Sequence, residues 1–549
     1  MPLDKDLQSI QEMRDLVQKA KQAQLEFRAY DQARVDRICK AMADAGFEAA
    51  ERLGRMAHEE TGFGKPEDKK KKNEFGTRRV WESIKDLKTV GVIREDKEKR
   101  IIEIGEPMGV VAALIPSTNP TSTVMFKSII SVKGRNAIVA SPHPKAAKCT
   151  MEAMHIISQA AVAAGAPIGL MACISIPTME STQALMKHKL ISVILATGSN
   201  DMVKQAYSAG KPAYGVGAGN VPAYIERTAN IRKAVADIVT GKTFDLGVLC
   251  SSEASVITDS SIKQIVVDEF KKLRCYFVEG DEKEKLARTM FDQRGAINPA
   301  MVGKPATYIA QQAGISVPAD TQVLIAEQTG VGREYPLSRE KLSPVLSFYT
   351  VENWREGCER CVDLLEFGGM GHTMVIHSMD EDIVMKFALE KPAFRFLVNT
   401  VGALGAVGYT NELLPSMTLG PGTIGGSIIS ENVSAKHLIN VRRLAFETRP
   451  INPATSNESY SLPTPQANKE TKAHPAIAST PAISKSWMEE IEERIRLKAG
   501  NTPVQKFETP KHEPAPVTPA PVSEPKTGTL GNGLSETDVD RIMKEFSKR

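Results

Sequence analysis

Gly109-Val110-Val111-Ala112-Ala113-Leu114-Ile115, running into Pro116-Ser117-Thr118-Asn119-Pro120, is the stretch on which the fold turns. It is a short β-branched apolar run stopped by turn-forming residues. Similar runs stand at Ala137–Ala140, Val193–Ala196, Ala223–Ile225, Ser255–Thr258, Val323–Ile325 and Met374–His377. Helical stretches such as Pro144–Ala164 and Asp201–Gly210 separate many of them. Alternation of this kind predicts an α/β fold with parallel sheets covered by helices. Upstream, proline is absent from Leu3 to Lys65, and Leu16, Val35, Ile38, Cys39, Met42 and Phe47 fall at helical spacing.

The chain has 549 residues, 42% of them hydrophobic and 25% charged, as in an ordinary globular protein. Its 70 basic and 66 acidic residues nearly cancel to +4, which gives no electrostatic case for nucleic acid as a partner. No run approaches a membrane-spanning length, and Met1-Pro-Leu-Asp-Lys-Asp6 has no apolar core like that of a signal peptide. Seven scattered cysteines suit a reducing cytoplasm better than a disulfide framework. Composition breaks near residue 450: residues 451–549 hold 12 of the 32 prolines, so this region reads as linker. Two islands interrupt it, Ser484 to Lys498 and Ser535 to Lys548.

The segment Thr243-Phe-Asp-Leu-Gly-Val-Leu-Cys-Ser-Ser-Glu253 places Cys250 after Gly247 in a loop-like stretch before a strand. A cysteine there can sit among backbone N–H donors that lower its pKa and make it a nucleophile. The commoner fate of a free cysteine is a small buried apolar residue. Asn119, in Thr-Asn-Pro, is by itself an ordinary turn residue.

Six pieces in order resemble the aldehyde dehydrogenase superfamily. They are Glu60-Thr61-Gly62, Glu106–Val111 with its Pro116–Pro120 end, Thr197-Gly198-Ser199, the Cys250 loop, Glu340-Lys-Leu-Ser-Pro344 and Val398-Asn399-Thr400. The resemblance covers residues 5–450 or so. It implies a Rossmann-like cofactor domain over 1–222, with 98–106 in an oligomerisation hairpin. A catalytic domain over 223–415 and a return over 416–450 follow. Cys250 would be the nucleophile, and the Asn119 amide with the Cys250 N–H would hold the oxyanion. NAD would be bound through Pro116, Ser117, Thr118, His143, Thr197, Gly198, Ser199, Val216, Gly217 and Glu340, the last through the nicotinamide ribose. His143 stands where many relatives have lysine, so NAD against NADP stays open; it is equally read as a strand-end histidine with a structural hydrogen bond.

Hydrolytic members carry Glu-Leu-Gly-Gly-Lys, whose glutamate activates water. Here the matching segment is Gly215-Val-Gly-Ala-Gly-Asn220, with Gly215 in place of the glutamate. Water without a general base attacks a thioester poorly, whereas the coenzyme A thiol is more nucleophilic. With Gly369-Met-Gly-His-Thr373, the pattern resembles the CoA-acylating branch, which takes propionaldehyde or acetaldehyde. The position before Gly247, usually asparagine in that branch, is Leu246, which leaves the loop's hydrogen bonding open. A hydrolytic enzyme using Glu253 or Glu340, and a non-catalytic shell-binding scaffold, are the alternatives.

Gly420-Pro-Gly-Thr-Ile-Gly425 matches a dinucleotide fingerprint by letter, but has no leading strand or following βαβ unit, and reads as an active-site loop. His372 could contact substrate or simply pack in its Gly-rich turn. Cys358-Glu-Arg-Cys361 lacks the second ligand pair of a zinc site and reads as helix surface and core; no metal is expected. Lys69 to Lys72 reads as a solvated helix face, with attraction of CoA phosphates as the lesser reading. In 533–549, Val539, Ile542, Met543 and Phe546 form one apolar stripe, suited to a partner's groove. That segment resembles encapsulation peptides of bacterial microcompartments of the glycyl-radical type. It implies shell or cargo proteins as partners and a place inside such a compartment in the bacterial cytoplasm. The family resemblance also implies a homo-oligomer, a dimer or tetramer, with Lys99–Ile104 and His437–Phe446 as its exchanged strands.

Overall fold

A computed structural model of the chain describes residues 4–452. The linker over 451–532, apart from its first two residues, its island at 485–498 and the segment 533–549 lie outside the described residues. Three helices, Lys5–Phe27, Gln32–Glu48 and Ala50–Thr61, lead the chain. Val35, Ile38, Cys39 and Met42 are fully buried, whereas Leu16 and Phe47 sit at the edge of the core, half-buried.

Strands β1 (Gly91–Asp96) and β2 (Ile101–Pro107) follow. Next come β3 (Val110–Ile115), β4 (Ala137–Pro142), β5 (Met171–Cys173), β6 (Ile191–Thr197) and β7 (Ala213–Val216). These five form a parallel sheet in the order β5-β4-β3-β6-β7. Every residue of β3 and β4 is buried, because helices cover both faces of a parallel sheet. The order reverses beside β3, so the crevice outside the carboxyl ends of β3 and β6 is the place where this architecture takes a ligand.

A second parallel sheet of seven strands uses β8 (Val221–Ile225), β9 (Glu253–Asp259), β10 (Cys275–Val278), β11 (Val323–Glu327), β12 (Val345–Val351), β13 (Met374–His377) and β14 (Phe396–Val398). Its order is β10-β11-β12-β9-β8-β13-β14. Last, β15 (Ile439–Ala445) returns to pair antiparallel with β2, from Ile439 opposite Pro107 to Ala445 opposite Ile101. With β1 they make a three-stranded antiparallel sheet whose faces are largely open. No helix among the described residues is long and apolar enough to cross a membrane.

Two features correct the sequence reading. The Lys69–Lys72 run is not one solvated face: helix Pro66–Glu74 turns Lys69 and Lys72 into the core and leaves Lys70 and Lys71 outward. Cys358 and Cys361, three residues apart on Trp354–Gly368, both belong to its buried face rather than its surface.

Candidate active site

Cys250 lies just beyond a short 3-10 segment, Phe244–Gly247, that leads from helix Ile231–Thr243 towards β9. That segment is built on three consecutive left-handed residues, Asp245 (φ 46°), Leu246 (φ 54°) and Gly247 (φ 72°). Asparagine adopts this conformation more readily than leucine. Here the Leu246 side chain is buried, and the turn is held instead through Asp245. Its Oδ1 accepts the Lys65 N–H at 2.7 Å, and its own N–H donates to Asp68 Oδ2 at 2.9 Å.

Part of Cys250 remains accessible. Burial nevertheless pushes its thiol up to about 12, and the Glu340 carboxyl adds to the effect. The Arg395 guanidinium and the backbone N–H groups of Cys250 and Ser251 act in the opposite direction. The segment Gly217–Asn220 presses against the Cys250 backbone: a Cβ on Gly219 would fall 1.8 Å from the Cys250 carbonyl oxygen. The same point is 3.3 Å from His372 Cε1, and the Gly219 N–H donates to Glu340 Oε1 at 2.8 Å. Cys250, Glu340 and His372 therefore converge on one glycine.

His372 is fully buried, and burial holds its imidazole neutral. Its Nδ1 meets Thr373 Oγ1 at 2.9 Å, while Nε2 has no partner. Arg395 donates from Nε to the same Thr373 hydroxyl and from Nη2 to the Gly420 carbonyl, which ties the Gly420–Gly425 loop to the site. Arg395 carries no local motif, and nothing in the sequence around it pointed to this place.

Asn119 holds the N-cap position of helix Pro120–Lys133, four residues past β3, with no side-chain bond to the helix, and is 8% exposed. Its Nδ2 donates to Thr118 Oγ1 at 3.1 Å, and its Oδ1 accepts from Lys72 Nζ at 2.5 Å. Lys72 also pairs with Asp245, whose Oδ2 takes Lys69 Nζ at 3.1 Å. Lys69 donates in addition to the Thr118 carbonyl at 3.1 Å. Helix Pro66–Glu74 thus ties the Asn119 turn to the Cys250 loop. Beside it lies a cavity of about 200 Å³ walled by Phe75, Phe244, Leu249, Leu404, Val407 and Met417, with Lys71, Lys72, Thr240 and Tyr409 completing it.

The residues expected at a cofactor stand at the carboxyl ends of the five-stranded sheet. Pro116, Ser117 and Thr118 follow β3, and exposed His143 follows β4 with its Nδ1 accepting the Lys145 N–H. Thr197 closes β6, its hydroxyl 3.3 Å from that of Thr418. After Gly198, Ser199 caps helix Asn200–Tyr207 by accepting the Met202 N–H. Val216 closes β7, and a Cβ on Gly217 would fall 2.0 Å from Asn200 Oδ1, so the backbone there passes close with no side chain. The ends of β3 and β6, which flank the switch point, fit a dinucleotide.

Two carboxyls lie near Cys250 in sequence or space. Glu340 is the one coupled to it. Glu253 packs against Gly241 and Gly402, with Oε1 accepting the Gly402 N–H at 2.6 Å; burial raises it to about 7. Gly215 has no room for the missing glutamate, since a Cβ there would lie 2.5 Å from Val203 Cγ1 and 2.9 Å from the Tyr207 hydroxyl.

The family model for the aldehyde dehydrogenase family matches residues 7–287. The chain belongs to the aldehyde dehydrogenase family. It is 44% identical over 443 residues to the bifunctional aldehyde-alcohol dehydrogenase AdhE of Escherichia coli K12, covering 80% of this chain and 50% of that one. The chain therefore spans about half the length of the curated relatives it matches first. Among solved structures, an acetylating aldehyde dehydrogenase from Geobacillus thermoglucosidasius is 52% identical with a TM-score of 0.81, over 82% of this chain and 99% of that one. A propionaldehyde dehydrogenase from the fucose utilisation bacterial microcompartment of Clostridium phytofermentans is 29% identical with a TM-score of 0.72, over 79% and 97%. The α/β architecture expected from the sequence is that of this family.

Proposed function

We propose that this chain is a CoA-acylating aldehyde dehydrogenase that converts a short aliphatic aldehyde, NAD and CoA to acyl-CoA and NADH. The observation that carries the reading is the segment Gly215–Asn220, which places Gly219 against the Cys250 backbone and has glycine at its first position. Where a hydrolytic relative places a glutamate, Gly215 is hemmed in by Val203 and Tyr207, and Gly217 and Gly219 carry no side chain. The acyl group on the cysteine then meets no dedicated base for water, and a thiol displaces it more readily.

Cys250 attacks the aldehyde carbonyl as its thiolate, the minor form at pH 7, its proton having passed to water, to give a hemithioacetal oxyanion. The second N–H of the Asn119 amide and the Cys250 backbone N–H receive that charge. NAD, when bound, supplies the hydride acceptor. Pro116, Ser117, Thr118, His143, Thr197, Gly198, Ser199, Val216 and Gly217 would hold it, with Glu340 turned to the nicotinamide ribose. Loss of hydride leaves a thioester on Cys250. The CoA sulfur attacks it as thiolate, its proton having passed to water, the same donors hold the second oxyanion, and Cys250 leaves as thiolate. The apolar cavity beside Leu249 suits a short alkyl chain such as that of acetaldehyde or propionaldehyde.

The same reading includes a homo-oligomer built on the outer edge of β15, where Leu444 is 47% and Phe446 46% exposed. It also includes a place inside a bacterial microcompartment, supported by the Clostridium phytofermentans relative and by the apolar stripe of 533–549. The test is product analysis over a panel of aldehydes, together with Cys250→Ala. Acyl-CoA formation that is lost in Cys250→Ala supports the reading. Unchanged activity in that variant removes Cys250 as the nucleophile.

A further inference from the structure

We propose that Lys72 is a positioning residue for the reaction: its ammonium fixes the Asn119 carboxamide so that oxygen faces the protein and nitrogen faces the reacting carbonyl. The inference rests on Asn119 as the oxyanion donor and asks what keeps that donor pointed the right way. An asparagine side chain has a broad, nearly two-fold final torsion. Turned over, it would present an oxygen to the developing negative charge and oppose the reaction. A lysine ammonium has three donors and no acceptor. With Lys72 Nζ 2.5 Å from the carboxamide, only Oδ1 can face it. The Thr118 hydroxyl contacts the other end, but a hydroxyl donates or accepts and so does not choose between the two orientations.

The surroundings keep Lys72 suited to this task. Its head is buried between Asp245 and Asn119, with Lys69 and Asp68 close enough to act on its charge. Burial lowers it to about 8, against the attraction of Asp245. Lys69 is the internal comparison. It shares Asp245 from the same helix, yet its other bond goes to the Thr118 carbonyl and not to the Asn119 amide. Both lysines hold the loop, and one of them orients the amide.

The experiment measures the first-turnover rate of NADH formation and the steady rate of acyl-CoA formation in the full-length protein. The variants are Asn119→Ala, Lys72→Met, Lys69→Met and the Asn119→Ala/Lys72→Met pair. Loss of an oxyanion donor should lower the rate of Asn119→Ala by about 10²–10³-fold. Lys72→Met should lower it by about 10–100-fold, with the aldehyde KM changed by less than about threefold, because the effect falls on the transition state. The double variant should be no slower than Asn119→Ala within about threefold, since the amide is then absent. Lys69→Met, which removes the other partner of Asp245, should lower the rate less than Lys72→Met where the two lower the melting temperature equally. If Lys72→Met does not fold, Lys72→Gln is read in the same way, because its amide can present either end to Asn119. Unchanged rates in Asn119→Ala would remove the oxyanion reading and this inference with it. A slow Asn119→Ala beside a folded Lys72 variant at parental rate, or losses that multiply in the double variant, would overturn the inference alone.

Discussion

The Cys250 thiol is acted on by opposing groups: burial and Glu340 disfavour its thiolate, while Arg395 and two backbone N–H groups favour it. With the balance near 12, it is a neutral thiol at pH 7, and its thiolate fraction rises about tenfold per pH unit below that value. Alkylation of Cys250 by iodoacetamide in the ligand-free protein, followed by peptide mass spectrometry, should climb steadily through pH 9. A plateau reached by pH 8 would show a thiol already activated. Gly215 yields a second expectation. Gly215→Glu should not create a hydrolase, because its side chain meets Val203 and Tyr207; overpacking should cost about 1–3 kcal/mol in urea unfolding. CoA-independent acid production by that variant would contradict the packing argument. Cys250, Asn119 and Gly215 were singled out in the sequence because each sits in a short motif. Arg395 and Asp245 were not, since their roles come from contacts made across distant parts of the chain.

Helix Pro66–Glu74 acts as a strap between the two sheets' loops. Asp245 has no exposed surface and receives two buried ammonium groups together with the Lys65 N–H. Removing one side of such a cluster leaves buried charge uncompensated. Asp245→Ala should therefore lose about 3–5 kcal/mol of stability in denaturant titration. A loss below 1 kcal/mol would mean that water reaches the two lysines. The sequence showed only four lysines in a row, which read as a solvated face. Helical spacing puts Lys69 and Lys72 on one side, but the acid they meet lies far along the chain, and no local pattern announces it. The strands were easier to read. Fully buried runs such as β3 and β4 are continuous stretches of apolar residues, and the turns after them carry Pro, Ser, Thr and Asn. Their ends moved by a residue or two, as at β6, where the sequence pattern fades before the ladder does.

Among the described residues, one parallel sheet presents its strand ends at a switch point, a second takes the strand that follows Cys250, and an open antiparallel sheet has β15 as its edge. An edge with no strand partner among the described residues, and with exposed Leu444 and Phe446, is a ready surface for a second copy. Sedimentation should give a mass of at least two chains, and a single-chain mass would contradict that use of the edge. Deleting 533–549 should leave aldehyde oxidation nearly unchanged, because the described site residues all lie before residue 450; a loss of activity on truncation would tie that segment to the enzyme itself. The central claim is that the acyl group leaves Cys250 on a thiol and not on water. Its most direct test follows NADH and products from a short aliphatic aldehyde with and without CoA. With CoA, acyl-CoA and NADH should form in equal amounts over many turnovers; without it, NADH should stop at no more than one equivalent per chain. Sustained NADH formation with release of free carboxylic acid in the absence of CoA would contradict the account.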